Sequence, residues 1–521
     1  MPSEREKLQR SGRKPQRHPA SAVGAARKRG SLRIAGLAAI AALVPILGLS
    51  AERDILFSAT ARGPQGRPSL PFSAVAGFGS GQVGFAALAS SLPVAYSAIA
   101  RPWQITLSGK LSTQLAINSG SGRANQADLT AEPKITLSLP SGLKLTTSIL
   151  ARVDTFDTIE KGKPSNRELS RFSRPAQLGT RANLEIREAF LETTLAGADI
   201  KLGRQQTKWG NAMGLKVLDV VNPVDFREFI LAEFDDSRIP LYSLNVSIPF
   251  SETTRLNTVW VLDQTYSDLP PPGSTFEFTS PFVLGRMPPV PFPVEVRSVD
   301  RPKRVLRDSD VGFELETSLL GTDITLNYLY HYDDFPIPFV TPPNGPNGSL
   351  IVDLEFQRTH LIGASATRFF GPLRLRTELG YSSDKYLPNI DPFDSDKVSR
   401  FGEFSYVAGA DFLGFKDTII SFQFFQSIIN AQDRFLERDR RETNLTLFVQ
   451  RPVFTKNLSL RTIVLHSINR ADGIFRPRFT YALGGGREVY LGADLFYGTK
   501  RGFFGQFKEQ DQIVLGFSTR L

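Results

Sequence analysis

From Arg101 onward the chain alternates apolar and polar residues with a period of two, and no other feature of its 521 residues constrains the fold as strongly. Between Trp103 and Ile117, positions 103, 105, 107, 111, 115 and 117 are Trp, Ile, Leu, Leu, Leu and Ile, with Gln104, Thr106, Ser108 and Lys110 among the residues between them. The rhythm returns at Leu143, Leu145, Ile149 and Val153, and at Ile324, Leu326, Tyr328, Tyr330 and Tyr332. It returns at Leu373, Leu375, Leu379 and Tyr381, where Arg374, Arg376 and Glu378 take the other face, and at Val489, Leu491, Leu495 and Tyr497 opposite Glu488 and Asp494. Each such segment is a strand with one apolar and one polar side. Helical spacing of comparable length is missing from this region.

Connection lengths decide between a soluble sandwich and a membrane barrel. Short turns fall at 138–142, 195–198, 249–254, 319–322, 369–372, 412–417, 452–457 and 482–487, and they alternate with longer links at 118–132, 157–181, 209–240, 267–309, 334–353, 384–400 and 499–510. Short turns on one rim and long loops on the other are the pattern of a transmembrane antiparallel β-barrel. A sandwich would not sort its loops by parity. The count is 18 strands, with 16 as the alternative if the weak segments 133–139 or 473–481 fail to pair. The last residues, Ile513, Leu515, Phe517, Thr519 and Leu521, keep the alternation to the C-terminus, as a barrel-closing strand does.

The N-terminal region has another character. RKRGSLR followed by IAGLAAIAALVPILGLSA gives a basic start, an apolar core and small residues near Ala51, the three parts of an export signal. The apolar run from Ile34 to Ala51 falls short of the roughly 20 residues of a spanning helix and contains Pro45. Residues 1–51 therefore read as a signal peptide, 52–100 as a low-charge spacer and 101–521 as the barrel. Ala98-Ile99-Ala100 offers a second processing site, and cleavage at either place exports the chain to the outer membrane. The net charge of +10 is mostly leader: residues 1–33 carry ten Lys or Arg against Glu4 and Glu6, leaving 52 basic and 50 acidic residues in the rest. A near-neutral mature chain does not suit a nucleic-acid partner.

The densest polar constellation lies between Lys201 and Leu241. It holds Asp219, Asp225, Arg227, Glu228, Glu233, Asp235, Asp236 and Arg238, interrupted by Phe226, Phe229, Ile230, Leu231 and Phe234. The spacing of Phe226, Phe229, Ile230, Glu233 and Phe234 predicts a helix beginning near Asn222-Pro223. A polar loop of a barrel lies above the membrane or inside the lumen, because bare backbone cannot face lipid. Folded inward, its eight charged residues are candidates for a constriction that filters solutes. The competing role is a brace that ties the loop to the inner wall. Candidate residues on that wall are Arg374, Arg376, Glu378 and His331.

Enzymatic chemistry finds little support. There is no Cys, and of the four His (His18, His331, His360 and His466) none lies in a His-Glu-x-x-His pair or beside a Gly-x-Ser-x-Gly elbow. No spacing supplies the six to eight oxygens of a Ca²⁺ site, so neither metal nor cofactor is expected. The nine prolines between Ser267 and Pro302 predict a stiff, extended surface loop.

IREAFLETTL, LGRQQTKWG, GLKVLDVVNPVDFREF and DDSRIPL, with FGQFKEQDQIVLGF near the end, resemble a family of Gram-negative outer-membrane barrels of unknown function. The resemblance implies a porin-like barrel, suspected of moving hydrophobic or lipid-like compounds, and a C-terminal strand read by the barrel-assembly machinery. Small-molecule solutes and outer-membrane lipid are the partners expected of such a channel. The alternative is a non-conducting structural or surface-adhesion barrel that acts through its extracellular loops.

Overall fold

The computed structural model describes residues 55–58 and 103–521, apart from 160–167, 282–292, 298, 300, 346–347, 392, 431–434 and 437. The expected export signal and most of the spacer lie outside the described residues. In chain order the barrel strands are β1 (Gln104–Asn118), β2 (Ala124–Ser138), β3 (Lys144–Asp154), β4 (Ala182–Leu195), β5 (Ala198–Gln205) and β6 (Leu241–Pro249). There follow β7 (Thr254–Val261), β8 (Asp310–Leu319), β9 (Thr322–Tyr332), β10 (Arg358–Phe370), β11 (Leu373–Pro388) and β12 (Val398–Phe412). The last six are β13 (Ile419–Ile429), β14 (Arg441–Val453), β15 (Thr455–Ser467), β16 (Asp472–Gly484), β17 (Arg487–Tyr497) and β18 (Gln512–Arg520).

Each strand pairs antiparallel with its neighbour in sequence, and β18 pairs with β1 from Lys110↔Arg520 to Asn118↔Gln512, closing an 18-strand barrel. The weak segments 133–139 and 473–481 are parts of β2 and β16, which removes the 16-strand alternative. Ile55–Ser58 adds a short strand against Gln104–Leu107, the part of β1 that β18 does not reach.

The faces are inverted relative to a water-soluble protein. Leu326, Ile362, Leu379, Phe422, Leu491, Ile513 and Leu515 point outward and are exposed, whereas Ser365, Arg376, Glu378, Asp411, Gln423 and Asp494 on the alternate positions are buried inside. An apolar outer band over a polar interior is the arrangement that lipid demands. Closure then leaves no unpaired edge in the hydrocarbon.

The short turns fall where the sequence puts them. Leu195↔Ala198 and Leu319↔Thr322 are closed by Ala196-Gly197 and Leu320-Gly321, all four at positive φ, the two-residue turn that matches strand twist. The other rim differs from expectation in four places. The link expected over 118–132 is only 119–123, because β2 begins at Ala124; the link at 384–400 shrinks to 389–397; and two further links, 430–440 and 468–471, complete that rim. A small sheet of Val294–Val296, Ile337–Thr341 and Leu350–Glu355 stands among the long loops. Among the described residues no helix is long and apolar enough to cross a membrane.

An Arg at outward-facing Leu379 or Leu491 is expected to cost roughly 2–4 kcal/mol of barrel stability. The same change at Ser247, whose hydroxyl bonds Asn257 across two strands, should cost much less. Denaturant unfolding in lipid vesicles measures both; equal losses would refute the register.

Candidate functional site: the loop across the lumen

After Gln205 the chain leaves the wall and enters the lumen, returning only at Leu241. A segment placed there must find partners for its own N–H and C=O groups. The inner face of the barrel supplies them. Glu378 on β11 accepts four backbone N–H groups, those of Asn211 (2.6 Å), Ala212 (2.7 Å), Val217 (3.0 Å) and Leu218 (3.3 Å). Gln423 on β13 accepts from the N–H of Met213 at 3.0 Å and donates to the carbonyl of Leu215 at 2.6 Å. Arg376 donates to the carbonyl of Asn211 while its other nitrogen holds Asp411 at 2.8 Å and Ser421 at 3.0 Å. Gly210 sits at φ +73, and a Cβ there would lie 2.3 Å from Glu378 Oε1, so only glycine allows the carboxylate so close.

The far half of the loop is held by the opposite wall. Arg476 on β16 donates to the carbonyls of Ile230 (3.1 Å) and Leu231 (2.6 Å), and Arg187 on β4 to those of Asp235 (3.1 Å) and Asp236 (2.8 Å). Arg152 on β3 pairs with Glu228, Arg461 on β15 with Glu233, and Lys110 on β1 with Asp236 at 2.7 Å. Seven strands, β1, β3, β4, β11, β13, β15 and β16, therefore grip one segment. Charge-assisted bonds of this kind contribute about 1.5–3 kcal/mol each when buried.

Apolar contacts seat the loop between these anchors. Trp209, Val217, Leu218 and Val221 pack with Val259, Leu329, Leu361 and Val407 of the wall. Three wall glycines make the room: a Cβ would fall 2.6 Å from Trp209 at Gly312, 2.3 Å from Leu218 at Gly363 and 2.5 Å from Val217 at Gly380. Gly363 and Gly380 are register partners on β10 and β11, so they form one socket.

The helix expected from Asn222-Pro223 is reduced to Phe234–Ser237. Val224 and Asp225 bridge to Arg238 and Asp268 instead, and Phe229 lies in the left-handed region at φ +55, with its N–H closing a turn on the carbonyl of Phe226 at 2.7 Å. The aromatic spacing that resembles a helix serves another purpose. Phe229 sits among Phe278, Phe496, Phe503, Phe504 and Phe507, with ring centroids 4.6–6.1 Å away, and joins the loop to the long links 262–309 and 498–511.

The eight candidate charges divide into two groups. Asp219 pairs with Lys216 and Arg238, Asp225 with Arg227, and Arg227 also reaches Asp268 at 3.4 Å, while Glu228 takes Arg152 and a 2.8 Å bond from Gln126. These groups are shielded, and burial, then the nearby Asp268, pushes the carboxyl of Asp225 upward. Glu233, Asp235 and Asp236 have exposed side chains at the tip. The hydrogen bond from Arg238 holds Asp235 below the ordinary carboxylate range. Among the lumen-wall candidates, Arg374 and Arg376 both pair with Asp411, and His331 lies two residues beyond the inward-facing Leu329. Sequence reasoning placed Glu378 on the wall but missed what it binds, and it missed Gln423, Arg152, Arg476 and the glycine sockets.

Where the loop begins, its residues Gln206 to Trp209 roof a vestibule of about 540 Å³ that opens toward the short-turn rim. Its walls carry charges of both signs, among them Glu192, Lys201, Lys208, Arg255, Glu314 and Glu316. Among the described residues no group of three or more His, Asp or Glu side chains is placed to hold a metal ion.

These features define a transmembrane β-barrel of porin-like architecture with an inserted lumen loop. The chain belongs to the family described as a protein of unknown function (DUF1302), which matches residues 116–441 and so includes the whole loop and its Glu378 anchor. No curated protein sequence matches it significantly. Solved structures with a similar course include OccAB3 of Acinetobacter baumannii, 7% identical, covering 80% of this chain and 99% of its own, with a TM-score of 0.46. OccK8 (OprE) of Pseudomonas aeruginosa is 11% identical over 80% and 98%, at 0.45, and the outer membrane channel DcaP of A. baumannii is 9% identical over 80% and 97%, at 0.39. At such values the likeness says nothing of what passes or binds.

Glu378→Ala leaves four loop N–H groups without their acceptor, at a cost of about 2–5 kcal/mol to the seated loop. Trypsin should then cut at Lys208 or Lys216 while the barrel itself stays folded. Unchanged resistance would show that Glu378 does not hold the loop.

Proposed function

We propose that the protein is an outer-membrane channel for passive passage of solutes, in which residues 206–240 set the route. One observation carries this reading: the loop is pinned to facing walls of a polar lumen, and beside it the vestibule opens to about 540 Å³ between charges of both signs. Such a lining favours small polar solutes. The lipid-like cargo implied by the family resemblance has weaker support, because Trp209, Val217 and Leu218 already occupy the main apolar sockets of the lumen. Export through a cleaved N-terminal signal and insertion by machinery that reads β18 belong to the same proposal.

Within the loop the roles separate by exposure. Glu233, Asp235 and Asp236 are the candidates for a filter, since their field can act on ions nearby. Asp219, Asp225, Arg227, Glu228 and Arg238 act as the brace. The aromatic cluster around Phe229 favours a second reading, a barrel closed at rest that works through its outer loops.

Planar-bilayer recording separates the two. A variant lacking residues 212–236 should conduct far more than the wild type, and Asp235→Asn with Asp236→Asn should reduce cation preference at only a small cost in thermal stability, because the pairs it removes, with Arg238 and Lys110, have exposed carboxylates. If neither the wild type nor the deletion conducts, the channel reading fails and the closed barrel stands.

Orientation is tested by cysteine labelling in intact cells, for which the cysteine-free chain offers no background. A Cys replacing Phe393, 93% exposed on a long-rim link, should react with a membrane-impermeant reagent, and one replacing Phe454, 96% exposed on a short turn, should not. Labelling at position 454 would invert the topology.

A further inference from the structure

The rim of long loops dips at one place. Strands β5, β6 and β7 have only 8, 9 and 8 residues, against 15 in β1 and β2. A transmembrane strand needs about 9–11 residues to cross the hydrocarbon. Whatever covers the long-rim ends of these three therefore stands at the depth of the lipid headgroups. The cover consists of residues 168–178 and 301–309. The first is tied to the chain after β7 by Ser173 Oγ donating to Asp263 at 2.6 Å and by the N–H of Ser170 donating to Thr265 Oγ1 at 3.0 Å. The second is tied to the same stretch by Arg301 donating to the carbonyl of Gln264 at 2.6 Å, and to β7 by Trp260 donating to Ser309 at 2.9 Å.

The surface of this cover combines two kinds of side chain. Phe172, Leu178, Val305 and Leu306 are exposed, Leu306 to 70%, and exposed Arg171, Arg174, Arg304 and Arg307 stand among them. Arg301 is close enough to Arg174 and Arg171 for their charges to oppose its own. The carboxylates here are Glu168, Asp263 and Asp308, against six cations, Arg171, Arg174, Arg301, Lys303, Arg304 and Arg307, and Asp263 and Asp308 already accept hydrogen bonds from Ser173, Thr265 and the N–H groups of Lys303 and Arg304. Cations are thus in excess over acceptors.

A second observation comes from below the cover. Arg204, near the end of β5, is 1% exposed, and it donates to the carbonyl of Phe172 at 3.4 Å. Its Nε and Nη2 make no hydrogen bond, although Nη2 is ion-paired with Glu185 at 3.8 Å. A buried guanidinium with two donors outside any hydrogen bond can still take an acceptor oxygen.

We propose that this patch binds the phosphate headgroup of a lipid in the leaflet at the long-loop rim. Arg171, Arg174, Arg304 and Arg307 hold the phosphate oxygens, Phe172 and Leu306 lie along the acyl chains, and Arg204 supplies further donors where the headgroup enters beneath residues 168–178. Guanidinium forks suit phosphate, and apolar neighbours at headgroup depth suit the chains. This rests on the barrel lying in a bilayer with its long-loop rim in the outer leaflet; it does not depend on conduction, so a silent bilayer recording leaves it standing.

Native mass spectrometry of the delipidated full chain tests it, with diphosphoryl lipid A, the same lipid without phosphates, and inorganic phosphate as probes. The wild type should retain one diphosphoryl lipid and bind the dephosphorylated form at least about tenfold more weakly. A variant carrying Arg171→Ala, Arg174→Ala, Arg304→Ala and Arg307→Ala, all at exposed positions, should show the same loss with its barrel intact. Arg204→Met should weaken binding as well, and if that variant fails to fold the fourfold variant still decides. Equal binding by wild type and fourfold variant would overturn the proposal. Full displacement of the lipid by millimolar inorganic phosphate would overturn it too, and mark a free-anion site instead.

Discussion

A backbone amide removed from water must find a partner, and this protein meets that requirement twice, by different means. Against lipid the solution is collective: 18 strands pair in a closed circuit, so no edge remains. Inside the barrel the loop 206–240 has no ladder to join, and its amides turn to side chains of the wall. Glu378 alone takes four of them. A carboxylate on the inner face of a strand is thus to this loop what the neighbouring strand is to the sheet. The same need explains why the wall carries long polar residues such as Gln423 and Arg476 at the height of the loop, since a short side chain could not reach its carbonyls.

The barrel was legible in the sequence because its determinants are local and repetitive. Alternation marks each strand, and parity of the links tells the two rims apart, so the 18 strands could be counted before any pairing was known. The lumen loop was legible only as a concentration of charge. Its partners are backbone groups, which leave no trace in residue type, and the sockets at Gly363 and Gly380 look like any glycine in a strand. The misplaced helix has a specific cause. Phe226, Phe229, Ile230 and Phe234 have helical spacing, yet Phe229 belongs to a cluster built from four separate loops and strands β15 to β17, and contacts so distant in sequence override the local period.

Filter and brace need not be rival descriptions of one set of residues. Burial separates them within about twenty residues of chain. Asp219, with a nearly inaccessible side chain, is neutralised by Arg238 at 2.6 Å, and a charge so paired contributes little field to the lumen. Asp235 shares the same guanidinium at 2.5 Å but its side chain is 79% exposed. One arginine therefore links a structural carboxylate to one that faces solvent. Replacing Arg238 would disturb both together, which makes it a poor choice for telling the roles apart.

The aromatic cluster adds a mechanical consequence. Phe229 is fully buried and touches rings from the 498–511 link, while Phe226 touches Phe278, so the lumen loop and the long-rim links 155–181, 262–309 and 498–511 share one apolar core. Closely packed cores shift between discrete arrangements rather than deforming smoothly. A solute or partner that reordered the long-rim links would have to break Phe229 contacts, and the loop segment from Phe226 to Leu231 would lose its seat. The anchors at Glu378 lie on the other half of the loop and share none of those contacts. Displacement from the long-loop rim would therefore free the half held by Arg152 and Arg476 first, leaving the Glu378 half in place as a hinge.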